Sequence, residues 1–467
     1  MTANQPVPAP RLSRAGGDGR QAAPVGLVHL GLGNFFRAHQ AWYTEHAGDA
    51  GDWGYAAFAG RGADLAGRLH AQDGLYTLLQ RGPQRDSAEI IASVSEVHPG
   101  ADHAGWLACV ASPQVAAVTV TVTEAGYCRG PDGGLDVSRP DVAADLGRLR
   151  EDISASVTTA PARLVAGLAA RRAAGGGPLA LVPCDNVAGN GALAGRVVTD
   201  LARLVDPGLV EWIGKSLAVV TTVVDRITPR TGSTEVEAAA RATGRSDEAP
   251  VVTEPFSEWI LVGEFPAGRP RWEDAGAVFT DEVTGYEHRK LWLLNAAHSL
   301  LAYTGSLLGH RSVAEAIGDD RCRGWVQQWW ATAAPHLDQP ACEIARYEDA
   351  LVERFANARM HDALARIAED GSQKLPIRVL PVLRAERAAG RLPVAATRIV
   401  AAWLCHLRGL GGAVHDVRAG ELLPLAAGPL ADAARKVLDA LDPDLGADTE
   451  VVTAVAEQCR ELAGTRR

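Results

Sequence analysis

The sequence predicts an α/β protein with two domains: an N-terminal domain on a mostly parallel sheet and an all-helical C-terminal domain. Up to about residue 285, short apolar or β-branched runs alternate with helical patterns. This alternation is typical of a parallel sheet covered by helices on both faces. Beyond it, strand patterns almost vanish and long Ala/Leu/Arg helical patterns continue to the end. We therefore expect a mobile tail over 1–23, a sheet domain over 24–285 and a helical domain over 286–467.

The individual elements follow from apolar periodicity and from the turn residues at their ends. The apolar run 25–30 predicts the first strand, and the β-branched run 115–123 predicts a central strand. Three further strands are predicted at 53–59, 179–183 and 217–224. The predicted helices of this domain include 35–47, 160–174 and 191–204. Those of the C-terminal domain include 288–308, 321–334, 347–355, 394–407 and 450–463.

Composition and charge argue against several classes of protein. The net charge is −10 and no block of Lys and Arg stands out, which argues against a nucleic-acid partner. No apolar run is long enough for a transmembrane helix, and the first residues lack the apolar segment of a secretory signal, so we expect a cytoplasmic protein. The seven cysteines are scattered and never form a C-x-x-C pair. That pattern argues against a structural zinc and a disulfide framework.

Gly31 and Gly33 follow the first predicted strand and precede a predicted helix. Glycines at such a turn let the backbone approach a pyrophosphate, which binds at the helix N-terminus. The third glycine of the usual fingerprint is absent, because Phe36 stands in its place. The motif fits either the dinucleotide-binding turn of a Rossmann-like domain or a plain strand–helix turn.

An acidic residue is expected after the second strand, where it would bind the ribose hydroxyls of a dinucleotide. Asp64 lies in this region and would favour NAD. Arg61 would instead meet a 2′-phosphate and favour NADP. Both residues are equally compatible with a solvated loop.

The segment 287–298 is the most informative for chemistry. On a helix, Glu287, Lys290, Asn295 and His298 fall within an arc of roughly 140° at about 100° per residue. Because buried polar groups need partners, this face indicates either an ion pair between Glu287 and Lys290 or a reactive site. A lysine among apolar neighbours can have a lowered pKa and act as a general base, as oxidation of an alcohol requires. Asn295 and His298 would then hold the substrate oxygen as charge develops.

Polar residues also follow two predicted strands. Asp185 and Asn186 come after 179–183, and Asp225 comes after 217–224. Ligands of open α/β sheets bind outside the carboxyl ends of the strands. Turn and helix-capping chemistry explains the same residues. It is the better interpretation for Asp185, and both interpretations stay open for Asn186 and Asp225.

Two cations and a tryptophan cluster complete the candidates in the C-terminal domain. Arg366 precedes a predicted loop over 371–376, and Lys374 lies in it. They would either reach substrate oxygens or serve as ordinary surface charges. Trp325, Trp329 and Trp330 lie on one predicted helix, and their spacing favours core packing over a ligand platform.

Taken together, these segments resemble the polyol-specific long-chain dehydrogenases, the mannitol dehydrogenase family. The matching stretches run in family order over roughly residues 25 to 410, and the combination is highly specific. They are HLGLGNFFRAHQAWY (29–43), QDGLYTL (72–78), TVTEAGY (121–127), CDNVAGNG (184–191), VDRITP (224–229), EPFSEW (254–259), KLWLLNAAHS (290–299) and DGSQKLP (370–376).

The resemblance implies a nucleotide-binding domain, a helical domain, an active site in the cleft between them and no catalytic metal. Lys290 would be the general base, and Glu287 would relay its proton to solvent. Asn186 and Asn295 would steady the oxyanion, while His298 would orient the substrate. The residues implied as substrate hydroxyl contacts are Asp225, Arg366 and Lys374. Those implied as contacts of the cofactor, NAD rather than NADP, are Gly31, Gly33, Asn34, Phe35, Arg37 and Asp64.

The resemblance leaves the substrate open. Tyr127 and Cys128 are similar to the hexuronate reductases of the family, whereas Arg366 is similar to its mannitol dehydrogenase branch. We expect a polyol and its ketose, such as mannitol and fructose or arabinitol and xylulose, ahead of an aldonate and its ketohexuronate (fructuronate or tagaturonate). No nucleic-acid or membrane partner is expected, and the protein would be a monomer or a small homo-oligomer.

Three other functions compete with this interpretation. A zinc-dependent polyol dehydrogenase would need a Cys/His/Glu ligand cluster, which is not evident in the sequence. A 3-hydroxyacid-type dehydrogenase would share the nucleotide domain and the Lys/Asn pair but would anchor a carboxylate. A non-enzymatic, NAD-binding redox sensor would keep the fold without turnover, and the presence of Lys290, Asn295 and His298 argues against it.

Overall fold

The structure, a computed structural model, describes residues 9–60, 63–360 and 362–464. The chain divides into two compact units between Val283 and Thr284. The first unit carries the strands and the second is built of helices. The predicted α/β domain and helical domain are therefore both present.

Twelve strands lie in the described residues of the first unit. In chain order they are β1 (Val25–Leu30), β2 (Gly54–Phe58), β3 (Tyr76–Arg81), β4 (Asp86–Ile91), β5 (Val94–His98), β6 (Ala117–Val120), β7 (Leu179–Pro183), β8 (Leu217–Val219), β9 (Thr221–Asp225), β10 (Val251–Thr253), β11 (Glu258–Val262) and β12 (Val278–Phe279).

The main sheet has the order β5–β2–β1–β6–β7–β8, and each neighbouring pair in it is parallel. The chain moves from β1 to one edge through β2 and β5, and to the other edge through β6, β7 and β8. The direction changes between β1 and β6, which makes the carboxyl ends of these two strands the switch point where such sheets bind ligands. The prediction of a Rossmann-like, mostly parallel sheet is confirmed.

Apolar layers cover both faces of this sheet. Because side chains alternate along a strand, Val28 and Leu30 pack in one layer and Leu27 packs in the other. A strand buried on both faces has a continuous apolar sequence rather than an alternating one. This is why β1 and β7 could be predicted residue for residue.

Two smaller sheets, of order β10–β3–β4 and β12–β11–β9, were not predicted. The run 217–224, predicted as one strand, is in fact two: β8 pairs with β7 in the main sheet, and β9 pairs antiparallel with β11. The break falls at Val220, whose N–H donates to the Leu181 carbonyl at 2.9 Å. Apolar patterning cannot report which partner strand a residue pairs with, so this division is invisible in the sequence.

The helices of the first unit lie between its strands, and the last of them, Ser233–Thr243, packs on β3 and β4 of a smaller sheet. They are Asn34–Ala38, Gln40–Glu45, Ala63–His70, His103–Ala111, Pro140–Glu151, Ala160–Ala173, Asn190–Val205, Pro207–Ser216 and Ser233–Thr243. The single helix predicted at 35–47 is wrong, because His39 leaves the helical region (φ −120°, ψ −87°) and divides it in two. The His39 Nε2 atom lies 2.9 Å from the Glu258 carbonyl, which fixes this break against β11.

Part of the predicted tail is packed against the first unit. Leu12 is fully buried, and Arg11 pairs with Ser246 in an isolated bridge. Asp18 accepts a hydrogen bond from Arg245 Nε at 2.7 Å. The prediction of a tail over 1–23 is therefore corrected from Arg11 onward, since specific polar partners hold a segment that its composition suggested was loose.

The second unit consists of helices around a buried centre. They are Thr284–Arg289, the π-helix Lys290–Asn295, Ala296–Leu307, Val313–Gly318, Asp320–Ala333, Ala341–Phe355, Leu364–Ile367, Gly371–Arg378, Leu380–Ala388, Val394–Leu407, Ala419–Leu425, Leu430–Leu441, Pro443–Ala447 and Thr449–Gly464. Its described residues form no strand, apart from an isolated bridge between Ser312 and Ala363. In the described part of the whole chain, no helix has the length and apolar character needed to cross a membrane.

The segment 371–376, predicted as a loop, belongs to the helix Gly371–Arg378. Asp370 precedes it in the left-handed region (φ 52°), and the Ser372 N–H donates to Asp416 Oδ2 at 2.8 Å. Asp416, whose carboxylate caps the helix, is distant from it in the sequence. The local Gly-Ser and Pro residues alone suggested a turn, and a tertiary contact starts a helix instead.

Candidate active site

The turn after β1 requires a glycine at position 31. Gly31 has φ +112°, and a Cβ atom there would lie 2.1 Å from the Thr121 carbonyl oxygen, directly after β6. Its N–H donates to the Phe58 carbonyl, at the end of β2, at 3.1 Å. The turn thus lies where the carboxyl ends of three parallel strands meet.

Gly33 has a different environment. Its backbone is extended (φ −143°, ψ −173°), and it immediately precedes the helix Asn34–Ala38. A Cβ atom there would meet only the Gly31 carbonyl oxygen, at 3.5 Å. The space beside Gly33 is therefore open, as close approach of a ligand to the backbone requires.

Arg37 and Asn34 hold this turn from inside the protein. Arg37 is 2% exposed, and its guanidinium donates to the Gly33 carbonyl at 3.3 Å, to Asn34 Oδ1 at 2.8 Å and to the Ala249 carbonyl. Asn34 Nδ2 donates to the Pro229 carbonyl at 3.1 Å. Burial lowers the pKa of Arg37 to about 10. The guanidinium therefore supports the turn, and its donors point to the protein.

The other predicted cofactor contacts lie around the same turn and after β2. Phe35 is half-buried and stacks on His39, with ring centroids 5.0 Å apart. Asp64 lies in the first turn of the helix Ala63–His70, its side chain is 84% exposed, and it pairs with Arg68 at 2.9 Å. Arg61, the alternative contact for a 2′-phosphate, lies outside the described residues.

The polar residues after β7 have separate roles. Asp185 accepts hydrogen bonds from the Tyr127 hydroxyl and, at 3.2 Å, from the Val187 N–H, which is an Asx turn. Burial, followed by the Asp185 charge, raises the pKa of Tyr127. Asn186, the next residue, is exposed. The structure supports the turn interpretation for Asp185.

A buried amide that the sequence analysis missed joins β7 to β9. Asn190 Nδ2 donates to the Thr222 carbonyl at 3.1 Å and to the Pro183 carbonyl at 3.3 Å, and Asn190 Oδ1 accepts the Thr222 N–H at 3.0 Å. Asp225 is the last residue of β9 and is 6% exposed. The Asn190 amide therefore joins the first residues of β9, the strand that ends at Asp225, to the end of β7, which precedes Asn186.

A π-helix carries the predicted catalytic residues of the second unit. It spans Lys290–Asn295, and the Ala296 N–H donates to the Leu291 carbonyl, a bond five residues back. In such a turn residues i and i+5 stack, as i and i+4 do in an α-helix. The angle between Lys290 and Asn295 around the helix axis is therefore smaller than an ideal α-helix predicts. His298 follows one α-helical step later on the face of Asn295.

The three side chains differ in environment. Lys290 is 9% exposed, whereas Asn295 and His298 are half-buried. The His298 ring packs on the Phe355 ring with centroids 4.7 Å apart. Within the part of the chain that the structure describes, the Asn295 side-chain amide has no hydrogen-bond partner, so both its donor and its acceptor are available to a ligand.

The two predicted cations near the helix Gly371–Arg378 are used differently. Lys374 Nζ donates to the Ile367 carbonyl at 3.1 Å and to the Glu369 carbonyl, and burial lowers the pKa of Lys374. Arg366 is exposed and forms no ion pair or hydrogen bond within the described residues. Lys374 thus ties its helix to the segment before it, while the N–H groups of Arg366 bind no other described residue.

Arg378 is a residue that sequence reasoning missed. Its Nη1 donates to the Asn295 carbonyl at 3.2 Å and to Ser299 Oγ at 3.1 Å. Burial lowers the pKa of Arg378 to about 10. An arginine four residues after Lys374, on the same face of a helix, was a sequence signal that could have drawn attention to it.

One group of potential metal ligands converges among the described residues, and it contains none of the residues predicted to be catalytic. Ligand atoms of Glu96, His98 and Cys109 lie within 4.8 Å of one another. Both ring nitrogens of His98 already contact carboxylates, Asp102 at 2.8 Å and Glu96 at 3.1 Å. These contacts explain the cluster as a histidine held between two acids.

The fold and these residues define a two-domain protein with a Rossmann-type sheet, a glycine turn at its switch point, and a helical unit with a Lys–Asn–His face. Two family models match the chain: "Mannitol dehydrogenase Rossmann domain" over residues 25–274 and "Mannitol dehydrogenase C-terminal domain" over residues 282–461. The chain belongs to the mannitol dehydrogenase family, which confirms the resemblance noted in its motifs.

Curated relatives include enzymes with different substrates. Mannitol 2-dehydrogenase of Cereibacter sphaeroides is 35% identical, over 82% of this chain and 81% of its own length. D-arabinitol 4-dehydrogenase of Ralstonia nicotianae is 37% identical, over 83% and 84%. D-mannonate oxidoreductase of Escherichia coli K12 is 35% identical, over 82% and 80%. The family thus includes oxidoreductases named for neutral polyols and for an aldonate.

Two solved structures share the fold over nearly the whole chain. A D-sorbitol dehydrogenase in substrate-free form has a TM-score of 0.88 and 28% identity, and the match covers 98% of this chain and 100% of that one. Mannitol 2-dehydrogenase of Pseudomonas fluorescens, in a ternary complex with NAD and D-mannitol, has a TM-score of 0.79 and 32% identity, covering 94% and 92%.

Proposed function

We propose that this protein is an NAD(H)-dependent oxidoreductase that interconverts a polyol and its ketose, with Lys290 as the general base. The observation that carries this proposal is the alignment of Lys290, Asn295 and His298 along one π/α-helical face in a member of the mannitol dehydrogenase family. The mannitol/fructose and arabinitol/xylulose pairs are the first substrates to test, because curated relatives are named for both polyols.

The proposed chemistry assigns each polar group a task. Lys290 takes the alcohol proton during oxidation and returns it during reduction, and Glu287 passes that proton to solvent. The amides of Asn295 and Asn186 stabilise the negative charge that develops on the substrate oxygen. His298, held against Phe355, orients that oxygen.

The glycine turn fits a dinucleotide. Gly31 allows the three strand ends to meet, and the open space beside Gly33 admits a pyrophosphate close to the backbone. Asn34 and Arg37 maintain the turn, while Phe35 and Asp64 border the cofactor site. A bound nicotinamide accepts or supplies the hydride. Asp64 favours NAD through the ribose hydroxyls.

Substrate hydroxyl contacts are assigned to Asp225, Arg366 and Lys374. Lys374 has one N–H beyond the two that bind Ile367 and Glu369, and it acts mainly by holding the segment before its helix. Tyr127, a residue reminiscent of hexuronate reductases, uses its hydroxyl for Asp185. A uronate substrate is the second candidate, because Arg366 is an exposed cation and a curated relative is named for mannonate.

The test is an absorbance assay at the NADH band with purified protein. NADH and NADPH are each paired with fructose, xylulose, fructuronate and tagaturonate. Oxidation of NADH by a neutral ketose supports the proposal. Oxidation only with a uronate moves the function to the second candidate and makes Arg366 a carboxylate anchor. Tight NADH binding without turnover of any substrate identifies a redox sensor.

Metal independence is tested in the same assay. Activity should be unchanged after prolonged dialysis against EDTA, because the proposed base is an amine and the oxyanion donors are amides. Loss of activity that Zn²⁺ restores would favour the zinc-dependent alternative.

A further inference from the structure

The π-helix Lys290–Asn295 needs support from outside itself. A π turn is rarer than an α turn and usually occurs as a single-turn bulge, often at functional sites. Its wider hydrogen-bonded ring changes which backbone carbonyls find a helical N–H, and every buried carbonyl still needs a donor. Groups that supply such donors stabilise the π turn relative to an ordinary α-helix.

Two indole N–H groups from one neighbouring helix reach carbonyls of this turn. Trp329 Nε1 donates to the Trp292 carbonyl at 2.6 Å, and Trp330 Nε1 donates to the Leu293 carbonyl at 2.9 Å. Both indoles belong to the helix Asp320–Ala333 and are buried. The prediction that these residues are core is compatible with their burial, but two directed hydrogen bonds to one turn go beyond apolar packing.

A third donor comes from a different helix. Arg378 Nη1 donates to the carbonyl of Asn295, the last residue of the π turn. Ser299 Oγ donates to the same carbonyl at 3.2 Å and accepts from Arg378. Three of the six carbonyls of the π-helix are therefore bound by side chains from elsewhere in the fold.

We infer that Trp329, Trp330 and Arg378 are positioning residues that hold the π turn, and through it the alignment of Lys290 with Asn295. This inference rests on the roles proposed above for these two residues. If the π turn changed to an α-helix, it would lose its extra residue. Lys290 would then rotate by about 100° around the helix axis relative to Asn295. The base would then no longer face the amide that holds the substrate oxygen.

The experiment compares tryptophans on one helix. Trp329→Phe and Trp330→Phe each remove an indole N–H and keep an aromatic ring. Trp325→Phe is the matched control, because Trp325 lies on the same helix, stacks with Arg398 and donates to no carbonyl of the π turn. Arg378→Met removes the third donor, and Arg378→Lys keeps a cationic donor as the conservative rescue.

The readouts are kcat and KM for the polyol, the pH profile of kcat/KM, the thermal midpoint, and hydrogen exchange of the peptide 290–299. We expect kcat to fall about 10- to 100-fold, the scale of a small misplacement of catalytic groups, with KM within about 3-fold. The basic group in the pH profile should shift, exchange in 290–299 should accelerate, and Arg378→Lys should recover part of the loss. Trp325→Phe should match the wild type.

The outcomes separate this inference from the proposed function. Variants that melt earlier but keep the wild-type kcat and pH profile overturn the inference, since the residues are then merely structural. If the wild-type protein turns over no polyol, the proposed function fails by itself. Hydrogen exchange then decides the inference: exchange in 290–299 that is unchanged in Trp329→Phe, Trp330→Phe and Arg378→Met overturns it.

Discussion

The glycine turn after β1 and the helical face of Lys290 are built in opposite ways. At the turn, strand ends approach so closely that a side chain at position 31 has no room. At the helix, the geometry depends on donors brought from two other helices. The first region is specified by a residue that must be small, and the second by partners distant in the chain. A local motif is therefore enough to locate the first, whereas the second needs the whole helical unit.

The largest expected effect is at the helical face. Lys290→Ala should lower turnover by about two to four orders of magnitude, the range for loss of a general base. Lys436→Ala is the matched control, because Lys436 is an exposed lysine of the same unit. Steady-state kinetics with saturating polyol measure the effect. Near-normal turnover of Lys290→Ala would falsify its role as the base.

The next largest effect is expected at the glycine turn after β1, where substitutions of Gly31 and Gly33 are compared. Gly31→Ala should cost about 3 kcal/mol or more of unfolding free energy, because it adds backbone strain and a contact with the Thr121 carbonyl at 2.1 Å. Gly33→Ala should keep the stability, since its backbone is extended and its space is open. It should instead weaken NADH binding about 10-fold, which is about 1.4 kcal/mol.

Denaturant unfolding and NADH fluorescence titration provide these two measurements. Equal losses of stability in the two variants would contradict the distinction drawn between the residues. Unchanged NADH binding by Gly33→Ala would remove Gly33 from the cofactor site.

A smaller, pH-dependent effect is expected from His29 in β1. Its ring is fully buried, lies 2.8 Å from Thr119 Oγ1 and 3.0 Å from Thr121 Oγ1, and its pKa is lowered to about 3 by burial. Below the unfolded-state pKa of about 6.5 the unfolded chain binds a proton that the folded protein does not, so folding stability falls as pH falls. This group should contribute a loss of about 1.4 kcal/mol per pH unit between pH 6.5 and the folded pKa.

Denaturant unfolding at pH 7, 6 and 5 measures that slope. His29→Gln removes the titrating group and keeps hydrogen-bonding capacity, so its pH slope should be shallower than that of the wild type. Identical slopes would show that His29 takes up its proton without unfolding.

The smallest effect is expected at Asp64, an exposed residue of the N-terminal unit. Asp64→Ser should raise the kcat/KM ratio of NADPH to NADH about 5-fold, the equivalent of about 1 kcal/mol for one hydrogen bond near solvent. Arg68→Ala removes only the ion-pair partner of Asp64 and serves as the control. A wild-type preference for NADPH would instead assign the adenosine pocket to Arg61.

The candidate site could be predicted where chemistry depends on local spacing. The K-x4-N-x2-H pattern and the G-x-G turn both lie where the predicted elements place them. Asn190, Arg378 and the hydrogen bonds of Trp329 and Trp330 were missed. Most of their partners are backbone carbonyls, which every residue type carries, so the sequence does not report which carbonyl a side chain binds. The spacing of Arg378 from Lys374 marks the residue but not its partner.

The sequence by itself determined the two-domain α/β and helical organisation and the buried parallel strands, and it supplied the candidate catalytic residues. It could do so because burial on both faces imposes apolar runs, and a sterically crowded turn demands glycine. Tertiary structure alone decided the division of 217–224 into β8 and β9, the helix at Gly371–Arg378 and the π turn. Each of these depends on a strand, carboxylate or side-chain donor that is distant in the sequence, so the physical cause exists only once the chain has folded.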